Sequence, residues 1–205
     1  MITIVDYAIG NIHSVHKAFK HIGAEVLITG DAGDILQADG VVLPGVGAFG
    51  DAMDNLRRLS IIEPLMRAID DGLPFLGICV GMQVLFDASE ELGPHAGLGV
   101  LAGSVRRFDG STKVPQIGWN QIHPRRRHPL LAGVPDGAHV YFAHSYRAVP
   151  GDPNVVLAST DYGGAYPSVV AQDNVCGIQF HPEKSQRIGL RILGNFAAMV
   201  EGKAR

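Results

Sequence analysis

Cys79 is the residue of this sequence whose surroundings point most directly to chemistry. It lies in the segment Gly-Ile-Cys-Val-Gly at 77–81, directly after the apolar run 74–76 and before the apolar run 84–86. Glycines two residues on either side of a nucleophile are typical of a nucleophile elbow, a tight strand-to-helix turn that presents the side chain above the sheet. A thiol in such a turn meets backbone N–H groups that stabilise its thiolate. The alternative is a buried core cysteine, which is a common structural residue.

A base and an orienting acid occur much later in the chain. The segment Gln-Phe-His-Pro-Glu at 179–183 closes the apolar run 175–178 and places His181 two residues before Glu183. A lone histidine is usually structural, but a thiol nucleophile requires a base and a group that orients it. The sequence therefore predicts a triad of Cys79, His181 and Glu183.

The first half of the chain alternates strands and helices, which must position these groups. Asn11 can cap a helix whose apolar residues Val15, Phe19 and Ile22 face inward. This alternation predicts a parallel sheet flanked by helices, with ligands at the carboxyl ends of its strands. The loop 44–47 and Cys79 both follow such ends, so they can share one cleft. The predicted strands are 2–5, 26–28, 40–43 and 75–78, and a second helix covers about 61–69.

The second half has a different pattern, with short β-like runs separated by Pro, Gly and Asp turns between about 103 and 171. These runs predict an antiparallel region added to the sheet. A final helix repeats Ile188, Ile192, Phe196 and Val200 along one face. No internal repeat or linker interrupts the chain, so one domain over 1–205 is expected. The short runs are 104–107, 116–122, 140–143, 155–159 and 168–171.

The composition fits a compact enzyme. The 205 residues are 46% hydrophobic and carry a formal net charge of −3, which gives no general attraction to nucleic acid or anionic membrane. The N-terminus lacks a basic region, and no apolar stretch reaches the roughly 20 residues of a membrane span. Only two cysteines are present and one is assigned to chemistry, so a reducing, cytoplasmic location is expected.

Several segments together resemble class I glutamine amidotransferases, and within them the glutaminase subunits of imidazole glycerol phosphate synthase. The resemblance covers nearly the whole chain, with Ala8 and Val80 as two small apolar departures. It implies a flavodoxin-like α/β fold, a glutaminase activity without a cofactor, and a separate cyclase subunit in histidine biosynthesis as partner. The segments that carry the resemblance are 6–11, 43–49, 77–83, 115–120, 141–146 and 181–185.

The resemblance also implies roles for particular residues around the triad. The backbone N–H groups of Val46 and Val80 would form an oxyanion hole. Gln83 would contact the substrate glutamine, although it could be an ordinary exposed helix residue. The remaining predicted substrate contacts are Gly45, His144, Ser145 and Tyr146, of which Ser145 and Tyr146 could be merely strand residues.

A second group of residues is expected to face the cyclase. Lys184 follows the His-Pro-Glu segment, and a cation beside an exposed aromatic residue is typical of an interface. Trp119 is the aromatic residue, and core packing is its alternative. Asn11 and Tyr141 complete the predicted interface.

Other polar segments carry weaker signals. The glycine-rich loop 44–50 lacks the endings of nucleotide-binding loops, so an oxyanion loop is preferred over a phosphate site. The basic run 125–128 lacks interleaved aromatic residues and is interpreted as a solvated loop. The histidines, among them His139, lack the spacing of metal ligands, so no metal is expected. Cys176 alternates with apolar residues and is interpreted as core.

Three functions remain open from the sequence. The first is a glutaminase subunit that passes ammonia directly to a cyclase and stays nearly inactive until that partner shifts the Val46 loop. The second is an autonomous cysteine hydrolase of related fold, such as a γ-glutamyl hydrolase or a peptidase-like protein. The third is a non-catalytic flavodoxin-like binding module. Activity with a partner, without one, or under no condition distinguishes the three.

Overall fold

The computed structural model describes residues 1–110 and 112–202, so residue 111 and the last three residues of the predicted 1–205 domain lie outside the described part. Two β-sheets are formed by strands named here in chain order. These are β1 (Ile2–Val5), β2 (Val26–Thr29), β3 (Gly40–Gly45), β4 (Phe75–Cys79), β5 (Phe86–Ser89), β6 (His95–Ala96), β7 (Leu101–Arg107), β8 (Gln116–Pro124), β9 (Ala138–His144), β10 (Tyr146–Pro150), β11 (Val156–Asp161), β12 (Ala165–Gln172) and β13 (Val175–Ile178).

The helices alternate with the first strands and close the chain. Short 3-10 turns occur at Pro129–Leu131, Pro153–Val155 and Pro182–Lys184. Within the described residues, no helix is both long enough and apolar enough to cross a membrane. The α-helices are α1 (Ile12–His21), α2 (Ala32–Leu36), α3 (Phe49–Arg58), α4 (Ile62–Asp70), α5 (Val80–Gln83) and α6 (Gln186–Val200).

The larger sheet has nine strands in the order β2-β1-β3-β4-β13-β12-β11-β8-β9. Its first five strands are mutually parallel, whereas β12 joins β13 antiparallel and the order continues antiparallel to β9. The predicted mixed, largely parallel sheet flanked by helices is therefore confirmed. Because β4 and β13 are parallel neighbours with Ile78 opposite Ile178, the residues that follow both strands emerge at the same edge.

The antiparallel prediction was only partly right. The runs in β8, β9, β11 and β12 extend the large sheet, but β7 pairs with β10 and β5 in a separate four-stranded sheet of order β10-β7-β5-β6. The sequence signal for short strands does not contain their pairing, because alternation specifies a buried face and not a neighbour.

Two helices, α2 and α3, were not predicted. The glycine-rich segment 44–50 was interpreted as a loop, so the helix that begins at Phe49 was missed. In α3 the residues Phe49, Met53 and Leu56 are buried on one face. The predicted inward residue Phe19 of α1 does pack in the core, against Phe196 of α6 with ring centroids 6.4 Å apart.

Candidate active site

Cys79 occupies a strained turn between β4 and α5. Its backbone has φ 55° and ψ −111°, a left-handed conformation that L-residues rarely adopt and that is often found at functional sites. A Cβ on Gly77 would lie 2.5 Å from the Gly81 carbonyl oxygen, and one on Gly81 would lie 1.8 Å from the Leu43 carbonyl oxygen. Both glycines are therefore required for the elbow by close backbone contact.

His181 and Glu183 lie beside this turn, because β13 ends next to β4. The Nδ1 atom of His181 is 3.0 Å from Oε1 of Glu183, and both side chains are buried. Burial opposes protonation of the imidazole, but hydrogen bonds with Cys79 and Glu183, and the negative charges of both, outweigh it and raise the pKa of His181 to about 9. The imidazole is therefore cationic at neutral pH.

Glu183 is held by a second donor from the start of the chain. Nδ2 of Asn11 donates to Oε1 of Glu183 at 3.1 Å. Burial alone would raise the pKa of Glu183, but the contacts with His181 and Asn11 lower it below its ordinary value. Asn11 stands at the predicted cap position of α1, yet its side chain makes no capping hydrogen bond, so the predicted capping role was wrong.

The loop after β3 borders the elbow. The Tyr7 hydroxyl donates to the Pro44 carbonyl at 2.8 Å, and a Cβ on Gly45 would lie 2.6 Å from the Gly81 nitrogen. Gly45 is therefore buried against the elbow and is not among the residues that line the cleft, and its contact with substrate stays a prediction. Gly47, by contrast, has φ +86°, and a Cβ added there would meet nothing within 4 Å.

A cleft of about 190 Å³ lies over the sulfur. It brings together both predicted oxyanion-hole residues, two members of the predicted triad, and four of the predicted substrate contacts. Gln83 is buried, so the alternative of an ordinary exposed helix residue was wrong. The lining residues are Val46, Gly47, Cys79, Val80, Gln83, Glu91, Ala143, His144, Ser145, Tyr146, His181 and Lys184.

His144 faces the cleft, but its ring is already hydrogen bonded inside the protein. Nδ1 is 2.7 Å from the Tyr146 carbonyl oxygen, and Nε2 is 3.1 Å from Oε1 of Gln116 and 3.2 Å from the Tyr166 hydroxyl. Burial lowers the pKa of His144 to about 4, with the Tyr146 carbonyl opposing and the nearby His181 reinforcing this shift. The ring is therefore neutral at pH 7 and cannot balance a substrate carboxylate by charge.

Sequence reasoning missed two polar residues of the site, one in the cleft lining and one beside the sulfur. Glu91 is the acidic residue of the cleft lining, and one of its oxygens accepts from the Phe49 N–H at 2.7 Å. Burial raises the pKa of Glu91, although the Phe49 N–H opposes this. Gln179 is fully buried, with Nε2 3.7 Å from the Cys79 sulfur. Gln179 lies inside the segment that carried the His-Pro-Glu signal, whereas nothing in the sequence marks Glu91.

Three of the four predicted interface residues, Trp119, Tyr141 and Lys184, lie together at the surface beside the cleft. Trp119 is 48% exposed, so the alternative of core packing was wrong. Its ring meets that of Tyr141 edge-on at 6.1 Å, and the Lys184 ammonium lies 5.7 Å from the centre of the Tyr141 ring. Ile117, two residues earlier on β8, is 65% exposed. Apolar and cationic groups therefore adjoin the site.

The remaining sequence predictions concern residues away from the cleft. Arg125, Arg126 and Arg127 are exposed, as predicted for a solvated loop, although Arg125 bonds Ser159 and Arg126 bonds the Ala171 carbonyl. A groove of about 700 Å³ follows this loop at 124–134 and contains no member of the triad. Cys176 is fully buried, and burial raises the pKa of its thiol to about 12. In the described part of the chain, no three His, Cys, Asp or Glu side chains are grouped so as to hold a metal.

The comparisons with known proteins agree with this geometry. Residues 3–199 match the family model described as glutamine amidotransferase class-I. Among solved structures, a glutamine amidotransferase superposes with a TM-score of 0.76 at 20% identity, covering 98% of this chain and 100% of that chain. PurLQS from Thermotoga maritima superposes with a TM-score of 0.77 at 19% identity, covering 97% of both chains. At these identities the two structures show the shared fold.

Curated relatives are much more similar in sequence. The imidazole glycerol phosphate synthase subunit HisH of Syntrophotalea carbinolica is 50% identical, covering 97% of this chain and 100% of the relative. The subunit of the same name from Geobacillus thermodenitrificans is 49% identical, covering 99% and 98%. The chain therefore belongs to the class I glutamine amidotransferase family, in the branch that contains these HisH subunits.

Proposed function

We propose that this chain is the glutaminase subunit of an imidazole glycerol phosphate synthase, which hydrolyses L-glutamine to glutamate and ammonia for histidine biosynthesis. The observation that carries the proposal is the arrangement at the elbow. Cys79 and His181 line one cleft, bordered by two loops with backbone donors, and Nδ1 of His181 is 3.0 Å from Oε1 of Glu183. Interaction with Cys79 and Glu183 raises the pKa of His181 against the effect of burial. The names of the relatives support a subunit of imidazole glycerol phosphate synthase, and the pathway and the cyclase partner belong to the proposal.

The proposed reaction has two steps. The Cys79 thiolate attacks the side-chain amide carbon of glutamine, and the N–H groups of Val46 and Val80 stabilise the oxyanion. His181, cationic at neutral pH, gives its proton to the departing ammonia, which leaves a glutamyl thioester on the sulfur. His181 then accepts a proton from water, whose oxygen attacks the thioester and releases glutamate and the thiolate. Glu183 holds the ring orientation and stabilises its cation.

Substrate recognition is assigned to the walls of the cleft. The Glu91 carboxylate is suited to the α-ammonium group of glutamine, because it is the acidic group among the lining residues. Ser145 and Tyr146 offer backbone and side-chain groups to the α-carboxylate, and Gln83 lies between them and the elbow. The cleft of about 190 Å³ favours a small amino acid over a peptide.

The ammonia is assigned to a second chain, the cyclase subunit, which would form imidazole glycerol phosphate and aminoimidazole carboxamide ribonucleotide. Free ammonia at neutral pH is mostly ammonium, which is not nucleophilic, so direct passage between docked proteins is chemically favourable. The exposed face of Trp119, Tyr141 and Lys184 adjoins the cleft and is proposed to dock the cyclase, with Asn11 close to the triad at the same side. Such a face has the aromatic content of an interface core.

The test is synthesis by a reconstituted complex with a cyclase subunit. Cys79→Ala should abolish glutamine-dependent synthesis and leave ammonia-dependent synthesis nearly unchanged, because only the covalent step is lost. Cys176→Ala is the matched control, since it removes the other thiol far from solvent, and it should retain both activities. Glutamine turnover by the Cys79 variant would refute the nucleophile. Full turnover without any partner would instead favour an autonomous hydrolase.

A further inference from the structure

Gln179 is a polar side chain near the nucleophile that the proposed reaction does not use. It follows β13, is fully buried and does not line the cleft, so it cannot touch a bound substrate. Its Nε2 atom lies 3.7 Å from the Cys79 sulfur, within the range of a hydrogen bond to sulfur. Any effect of Gln179 on the reaction must therefore act through the sulfur or through Gln83, whose side chain it also contacts.

The orientation of the Gln179 amide is fixed by a chain of contacts that starts at a backbone carbonyl. The Tyr146 carbonyl oxygen can only accept, and it lies 3.0 Å from Nε2 of Gln83, so that end of the Gln83 amide must be its NH2 group. The same Nε2 is 3.0 Å from Oε1 of Gln179 and donates its second hydrogen there. The NH2 group of Gln179 therefore points toward the sulfur.

We propose that Gln179 is a positioning residue for the Cys79 thiolate. Its amide donates to the sulfur, and the imidazole of His181 interacts with the same sulfur by charge. The amide donor and the imidazolium together orient the sulfur and stabilise its negative charge. This inference rests on the proposed role of Cys79 as the nucleophile, and it adds Gln83 as the residue that orients the Gln179 amide.

A packing role alone makes a different prediction. If Gln179 served only to fill space, methionine would replace it with little effect on the sulfur, because its side chain is unbranched and of similar volume. A hydrogen bond to a charged acceptor is instead lost in that variant, and such bonds typically change an equilibrium by about tenfold or more. Gln179→Met therefore separates the two roles.

The measurement is the rate of Cys79 alkylation by iodoacetamide as a function of pH, in the full-length chain and with the modified site located by mass spectrometry. Iodoacetamide is uncharged, so Glu91 and Lys184 at the cleft do not attract or repel it. The titratable groups that face the sulfur are His181 and Tyr7, which are kept in all variants. Cys176 is fully buried, so its alkylation in the same sample gives the background rate for an inaccessible thiol.

Gln179→Met should move the half-maximal rate to higher pH and slow alkylation at pH 7 by about tenfold. Gln83→Leu should move the profile in the same direction by less, because the Gln179 amide remains but can rotate. Gln116→Met is the matched control: it removes another buried amide, one that contacts His144 and Tyr166, and should leave the profile unchanged. In the complex, Gln179→Met should lower kcat for glutamine and leave KM unchanged.

An unchanged alkylation profile in a folded Gln179→Met variant overturns the inference. If Gln179→Met is not folded at the temperature of the experiment, an unchanged alkylation profile in Gln83→Leu overturns the inference instead. The result is separable from the proposed function. If the alkylation profile shifts as expected but the wild-type complex has no glutaminase activity, the assigned reaction fails and the role of Gln179 toward the sulfur stands.

Discussion

The side-chain amide of Asn11 donates to the oxygen of Glu183 that also contacts His181, with distances of 3.1 Å and 3.0 Å. The two residues are 172 positions apart in the sequence. A buried carboxylate that accepts two hydrogen bonds is held in its charged form and in one orientation. The loop before α1 is thereby connected to the acid of the proposed triad.

Asn11→Ala should lower kcat for glutamine hydrolysis by about 10- to 100-fold, since a hydrogen bond to a charged group typically contributes about 1.5–3 kcal/mol. The thermal stability of α1 should change little, because the Asn11 side chain makes no capping hydrogen bond. His13→Ala, on the exposed face of the same helix, is the control and should retain full activity. If the Asn11 variant weakens only the association with the cyclase, Asn11 acts at the interface and not on Glu183.

The pKa of His181, raised to about 9, predicts the alkaline limit of the reaction. Above that pH the imidazole loses the proton that it would give to ammonia, so kcat should fall. Glu183→Gln removes one of the groups that raise the pKa, and the fall should therefore begin at lower pH. The pH profile of kcat in the complex measures both, and an unchanged alkaline limit in the variant would contradict the assignment of His181 as the acid.

His181 and Glu183 also predict that stability depends on pH. The pKa of His181 is raised above its ordinary 6.5, so its contribution to the free energy of unfolding is complete below pH 6.5 and is lost as the pH rises through about 9. The pKa of Glu183 is lowered from 4.5, so its contribution is complete above that pH and is lost in acid. The free energy of unfolding of the wild type should exceed that of Glu183→Gln most between pH 4.5 and 6.5. Denaturant unfolding at several pH values measures the difference; a gap that widened toward pH 9 would contradict it.

The elbow and the His-Pro-Glu segment could be predicted from sequence because each is a local pattern. Their proximity was inferred only from the need of a thiol nucleophile for a base, and the parallel pairing of β4 with β13 that produces it is seen in the structure. The contacts of Asn11, Gln179 and Glu91 could not be predicted, because they depend on how distant segments dock. In the same way, alternation identified β7 as a strand but could not assign it to the smaller sheet, and local glycine density concealed α3.

Trp119→Ala should weaken association with the cyclase without a large loss of monomer stability, because the ring is 48% exposed. Leu92→Ala is a matched surface control, since Leu92 is 86% exposed and lies outside the predicted interface. Titration calorimetry with the cyclase and thermal unfolding of the isolated chain separate the two effects. A large drop in stability with unchanged affinity would show that Trp119 has a structural role.

The isolated chain should turn over glutamine at least about a hundredfold more slowly than the complex, because the loop after β3 controls one oxyanion donor. The Val46 N–H belongs to the peptide that joins Gly45 and Val46. The open space and positive φ at Gly47 let the loop adjust on the other side of Val46, so that this peptide can rotate. A cyclase with its own substrate bound would favour the state in which the Val46 N–H faces the sulfur.

Two measurements on the isolated chain show whether its slow turnover of glutamine comes from the loop or from the nucleophile. Alkylation by iodoacetamide needs no oxyanion hole. Cys79 should therefore be alkylated at the same rate in the isolated chain as in a complex whose cleft is open to the reagent. Glutamate release, which needs the hole, should rise by about 10²–10³ when the cyclase and its substrate are added. If alkylation and glutamate release are both slow in the isolated chain, the Cys79 thiol itself is unreactive there. If glutamate release is already as fast as in the complex, no loop switch exists.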